Sequence, residues 1–434
     1  MLKQILKNIC PDFILNFYID YVREEIVRAS HRIKYSKEIN TARRHYKSVE
    51  ESIRNRKDRP LRFAAYVVYD SSFSAYGLMD LMLADKAKYD AKVVIVPDVT
   101  RGEDNFHEQY KLTKDFFVNL YGSENVLDGY DEKSKEFLDL SDQFDIIYLA
   151  CPYNSMVNKV HGVKYLSTRN VLPVYISYGC MPDKYGCNEI IPLLEISLFW
   201  KVFADNKISY KDYKKYELLR GKNVSCTGYA KMDSLSKAKE EPHEKKTIIL
   251  APHHTINNPG LPLSNFLSYY DFLLELPVKY PDIHFVFRPH PLLFVNMVNE
   301  KVWTKEQVEE YKEKLKNLGV TYSFGGNYFD VFVNSDAIIH DCSSFVVEYL
   351  YTDKPCCFVA KPDYKKIFSR LGNSCLKHYY KAFNKEDILH FIDEVVVKGI
   401  DILKEKRIAF AEKKIRLNYP DVSKIIFEDI SNLL

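Results

Sequence analysis

Two short runs in the second half of the chain carry the residue types that hold a diphosphate. In Arg288-Pro289-His290-Pro291 the prolines keep the backbone extended and restrict where the imidazole points. Arg offers a paired, charged contact to phosphate, and His can donate to a leaving phosphate oxygen near neutral pH. In Asp341-Cys342-Ser343-Ser344 two hydroxyls stand where a helical run, Phe345 to Tyr351, begins, so free backbone amides lie beneath them. Asp and Ser are also the ordinary helix caps, and capping alone is the simpler reading of that run. Glu348, one turn further on, falls on the side of Ser344 and is placed to accept from ribose hydroxyls, or simply faces solvent.

A third run, Pro252-His253-His254-Thr255, adds two imidazoles. Its spacing is not that of an HExxH site and no acidic cluster accompanies it, so no metal is expected there. In the first half the corresponding runs are Asp70-Ser71-Ser72, Cys151-Pro152-Tyr153-Asn154 and Tyr178-Gly179-Cys180-Met181-Pro182. They suit an acceptor, and they are equally the standard residues of turns.

All of these runs follow short apolar segments. In the first half the segments are 62–69, 93–96, 145–149 and 173–176, alternating with helical stretches such as 106–121. The rhythm restarts at 247–251, 283–288, 320–324, 337–340 and 356–359, with helices expected near 267–277, 304–318 and 344–352. Segments apolar on both faces indicate parallel strands covered by helices on each side. The expectation is therefore two doubly wound α/β domains, at 61–236 and 247–383, joined by the Lys- and Glu-rich linker 237–246 and followed by helices over 384–434. Doubly wound sheets bind ligand outside the carboxyl ends of their strands, where the runs above lie.

The bulk numbers exclude other classes. A chain of 434 residues with 46% hydrophobic content builds a large core, and 62 Lys and Arg against 59 Asp and Glu leave a net charge of +3. Such a balance gives no field for nucleic acid. Nine cysteines, with no CxxC pair, point to a reducing compartment and no zinc ribbon. Neither a secretion signal nor an 18-residue apolar run is found, so the expected location is the cytoplasm. Residues 1–60 carry 14 Lys and Arg against 8 Asp and Glu, with Ile5, Ile9, Phe13, Phe17 and Tyr21 at helical spacing. This basic helical extension either packs on its own domain or lies against the inner face of an anionic membrane.

The ordered set Gly228-Tyr229 with Asp233, Ala251-Pro252, Arg288 with His290, Ser335-Asp336-Ala337 leading to Asp341, Ser343 and Ser344, and Lys354-Pro355 resembles the CDP-glycerol glycerophosphotransferase family, the teichoic-acid polymerase and primase group. The resemblance spans roughly residues 145 to 360. It implies a GT-B fold, a transferase without metal or bound cofactor, and a CDP-linked donor whose polyol phosphate passes to a glycan or polyprenyl-linked acceptor. By the same resemblance His290 contacts the donor phosphates and Ser343 and Ser344 the phosphate or cytidine side. Arg288, Asp341, Glu348, Gly228 and Gly325 complete the expected nucleotide side. Asp70, Ser72, Tyr153 and Gly179 remain for the acceptor. Family members often carry His-Gly where this chain has Tyr178-Gly179, and an ordinary tyrosine, with a pKa near ~10, is a poor base at neutral pH. The base is then Tyr178 itself, His253 or His254. A sugar-nucleotide glycosyltransferase of capsule or O-antigen assembly, and a non-catalytic scaffold of such a complex, stand as alternatives.

Overall fold

A computed structural model describes residues 24–434 other than 57, 326 and 327. The apolar series from Ile5 to Tyr21 lies outside the described residues. From Glu24 the chain forms a helix, Glu24–Asn55, whose Ile39, Ala42, Tyr46, Val49 and Ile53 are buried at helical spacing against the first domain. Arg43 fastens it by donating to the carbonyls of Phe199 and Trp200 at 3.1 and 2.8 Å.

The first sheet contains β1 (Leu61–Val67), β2 (Tyr89–Ile95) and β3 (Val126–Asp128). A small antiparallel pair follows, β4 (Tyr130–Asp131) with β5 (Glu136–Phe137), and the sheet then resumes with β6 (Ile146–Leu149), β7 (Leu172–Ile176), β8 (Lys201–Ala204) and β9 (Val224–Cys226). Its order is β3-β2-β1-β6-β7-β8-β9, parallel throughout. The second sheet contains β10 (Lys246–Ala251), β11 (Ile283–Phe287), β12 (Thr321–Tyr322), β13 (Ala337–His340), β14 (Cys356–Val359) and β15 (Tyr380–Ala382), in the order β12-β11-β10-β13-β14-β15 and again parallel. Each sheet reverses its winding once, between β1 and β6 and between β10 and β13. A crevice opens at such a reversal, outside the strand carboxyl ends.

Some elements differ from the expected pattern for local reasons. Strands β3, β8, β9 and β15 are three or four residues long, too short for a period to show. The segment expected at 320–324 pairs as a strand only over Thr321–Tyr322, and at Gly325 the backbone turns with φ +63°. The expected helix 344–352 is α-helical at Phe345–Glu348, tightens to a 3₁₀ turn over Tyr349–Thr352, and stops at the left-handed Asp353.

The end of the chain crosses back. Helix Val422–Ser431 buries Val422, Ile426 and Ile430 in the first domain's core after the chain has left the second sheet. Asp233 accepts from the backbone N–H groups of Val422 and Ser423 at 3.2 and 2.6 Å, and Lys201 pairs with Asp429 at 2.6 Å. Among the described residues no helix is long and apolar enough to cross a membrane.

Candidate donor and acceptor site

The three runs of the second domain converge because β10, β11 and β13 are neighbours in the sheet and end at one level. Asp341, the first residue after β13, is buried. One of its oxygens accepts from the His253 backbone at 2.6 Å and the other from the Asn265 backbone at 2.5 Å. Burial pushes its carboxyl up to about 6. Asp341 thus holds the His253-His254 loop in place from below.

His253, His254 and His290 form one group, with a ring nitrogen of each within 4.8 Å of the others. That spacing resembles a three-histidine metal site, but the hydrogen bonds favour another use. Nδ1 of His290 accepts from the Leu292 backbone N–H at 3.1 Å, and Nδ1 of His254 accepts from the Asn296 side-chain amide at 3.0 Å. The same amide also donates to the His254 carbonyl at 3.1 Å, which fixes its orientation. Nδ1 of His253 lies 2.9 Å from the Thr255 hydroxyl and faces the Thr255 backbone N–H. A neutral imidazole that accepts at Nδ1 carries its hydrogen on Nε2, so the cluster offers N–H donors, as an anion requires and a metal does not. Burial keeps all three rings neutral: His290 is pushed down to about 3, His253 well below the usual range, and His254 down, with Arg101 adding to the effect.

Arg288, two residues before His290 at the end of β11, is only 8% exposed. Its guanidinium donates to Ser323 Oγ at 2.7 Å and to the Gly325 carbonyl at 2.9 Å, and it rests on the Tyr328 ring at 5.3 Å. Among the described residues no carboxylate pairs with it. Ser344 is already helical and its side chain caps nothing, while Ser343 Oγ donates to Asp183 of the first domain at 2.8 Å. The helix beneath the two serines is short, so most of the positive potential comes from Arg288.

Glu348 faces inward and is 1% exposed. Tyr328 donates to one of its oxygens at 2.7 Å, and the Tyr229 hydroxyl stands 3.1 Å from the other and 2.9 Å from the Tyr178 carbonyl. Its carboxylate is therefore occupied within the protein. Gly228, just before Tyr229, has φ +111°, and a Cβ there would come within 2.1 Å of the Leu417 carbonyl oxygen. Its position serves the close passage of the returning tail.

On the first-domain wall Tyr178 and Tyr153 bring their hydroxyls to 3.4 Å. Burial raises the pKa of both hydroxyls and keeps them protonated, so near neutral pH Tyr178 is a donor and not a base. Gly179 accepts from Ser177 Oγ at 2.7 Å and borders open space. Asp70 and Ser72 form a 3₁₀ turn after β1, where the Ser72 hydroxyl donates to the Tyr69 carbonyl at 2.7 Å and serves the turn itself. Asp183 and Arg101 were not singled out from the sequence. Each is one charged residue in a loop of ordinary turn composition, and only the meeting of the two walls distinguishes it.

Two tandem doubly wound domains, with a buried arginine and a set of neutral imidazole donors after the strands of the second, have the GT-B architecture. Residues 194–367 match the model of the CDP-Glycerol:Poly(glycerophosphate) glycerophosphotransferase family, in line with the resemblance that the motif order carries. Solved structures share the fold at low identity. The wall teichoic acid polymerase TagF is 14% identical with a TM-score of 0.55, covering 95% of this chain and 98% of that one. The UDP-GlcNAc 2-epimerase from Neisseria meningitidis bound to UDP-GlcNAc is 14% identical with a TM-score of 0.55, covering 86% and 99%. The Methanocaldococcus jannaschii UDP-GlcNAc 2-epimerase in complex with UDP-GlcNAc and UDP is 12% identical with a TM-score of 0.53, covering 86% and 100%. None of the curated proteins matches the sequence.

Proposed function

We propose that the protein moves a polyol phosphate, with glycerol phosphate the leading case, from a CDP-linked donor to a glycan or polyprenyl-linked acceptor in the assembly of a cell-surface polymer. The observation that carries this reading is Arg288: a buried guanidinium without a carboxylate partner, beside imidazoles tied at Nδ1, is built to receive an anion. The donor diphosphate lies between Arg288, the Nε2–H groups of His290 and His254, and the hydroxyls of Ser343 and Ser344. An acceptor hydroxyl attacks the β-phosphorus from the first-domain wall and cytidine monophosphate leaves. Fixed donors around the departing phosphate supply most of the stabilisation.

The helical extension meets the membrane face from the cytoplasmic side. In its described part Ile26, Val27 and Ile33 are exposed by 58, 46 and 77%, which suits a shallow contact with lipid.

A donor panel tests the reading. CDP-glycerol, CDP-ribitol, UDP-GlcNAc and a GDP-sugar are compared by thermal shift and by release of nucleoside monophosphate or diphosphate. A CDP-polyol that raises Tm and yields cytidine monophosphate supports it. Nucleoside diphosphate released from a sugar nucleotide would make the protein a glycosyltransferase, and no shift with any nucleotide would make it a scaffold.

A further inference from the structure

Ser343 and Asp183 sit on opposite walls of the cleft, yet Ser343 Oγ donates to Asp183 Oδ2 at 2.8 Å. Asp183 belongs to the loop after β7, and its second oxygen accepts from the Gly186 backbone at 2.9 Å. The loop is held against the second domain on both sides of this contact: the Pro182 carbonyl accepts from the Ser369 N–H at 2.8 Å, and Asp183 forms a single antiparallel bridge with Phe368. Among the described residues no Lys or Arg forms an ion pair with Asp183. A carboxylate without a cation is thus fixed one hydrogen bond from Ser343, the serine assigned above to the donor phosphate.

We propose that Asp183 is the base that takes the proton from the acceptor hydroxyl, an assignment that rests on the transferase reading above. When the donor binds, Ser343 turns from Asp183 to a phosphate oxygen and frees Oδ2. The acceptor's O–H proton passes to Oδ2, and its oxygen forms a bond to the β-phosphorus. The bond from that phosphorus to the oxygen bridging the two phosphates breaks. Its electron pair stays on the departing cytidine monophosphate, beside Arg288 and the His290 N–H, and the carboxylic acid gives its proton to water as product leaves.

The other candidates are otherwise engaged. Tyr178 keeps its hydroxyl protonated, and His253 and His254 have Nδ1 committed, so that Nε2 carries hydrogen. A base is also needed on the acceptor side, where Asp183 lies and the histidines do not.

Asp183→Asn keeps the shape of the side chain and one oxygen to accept from the Gly186 N–H, while removing the base. Donor affinity should stay within about threefold of wild type, while kcat falls by roughly 100-fold or more, the usual weight of a general base. In Asp183→Gly, sodium formate should restore part of the lost rate, which a purely structural role would not allow. Retention of more than about a third of kcat in Asp183→Asn would overturn the assignment. So would an equal loss of donor affinity and rate without formate rescue, which would make Asp183 a clamp between the domains. Wild-type protein that turns over no CDP-linked donor would overturn the transferase reading and this assignment with it.

Discussion

The rings of His254 and His290 stand with their centroids 4.0 Å apart and their planes inclined by 39°, two uncharged imidazoles packed against each other. Their neutrality makes the fold sensitive to acid. His290 and His340 are each pushed down to about 3, and His253 and His254 are also lowered, so the unfolded chain binds protons near pH 6.5 that the folded chain refuses. Their contribution to stability is complete above pH 6.5 and is lost as pH falls toward 3. His290 and His340 each cost roughly 1.4 kcal/mol per pH unit in that window. Asp341 acts in the opposite direction: raised to about 6, it takes up its proton more readily when folded and offsets part of the loss between about pH 6 and 4. His161, His284 and His378 are lowered in the same way, and Asp205, Asp212, Glu217 and Asp233 are raised like Asp341, so the histidines outnumber the carboxyls that oppose them and Tm should fall from pH 7.5 to 5.0. A Tm that is flat or rising over that range in differential scanning calorimetry would show that the imidazoles are charged in the folded protein.

Gly228→Ala should destabilise the protein by roughly 2–4 kcal/mol, because the substitution combines a positive φ with a collision against the backbone carbonyl of Leu417. The measurement is the shift of the calorimetric transition. Gly179→Ala, where a Cβ would meet nothing, is the control and should leave it within a degree or so.

Tyr178→Phe should lower kcat by less than about tenfold, since the hydroxyl it removes is a hydrogen-bond donor held protonated by burial. Steady-state kinetics across pH 5 to 9 check this. A loss approaching that of a missing general base, together with a vanished pH dependence, would return the proton-accepting role to Tyr178.

Much of the second-domain cluster was legible in the sequence because it is local. Arg288, His290, Ser343 and Ser344 follow directly on apolar segments, and in a parallel sheet the carboxyl ends of adjacent strands must meet. The acceptor side was less legible, since Asp183 acquires its meaning only from Ser343, 160 positions away. Glu348 shows the same limit: helical spacing placed it beside Ser344, but Tyr229 and Tyr328, which occupy its carboxylate, come from other elements. The close approach at Gly228 depends on a tail that returns from nearly two hundred residues later. Pairings over such distances leave no periodic mark in a single sequence.

The most direct test of a nucleotide-dependent phosphate cleft is isothermal titration of the wild-type protein and its Arg288→Ala variant with CDP-glycerol. Wild type should bind at a single site, and loss of the buried guanidinium should weaken binding by about 100-fold, near 3 kcal/mol, with the fold retained. No binding to wild type, or equal binding to the variant, would contradict the account.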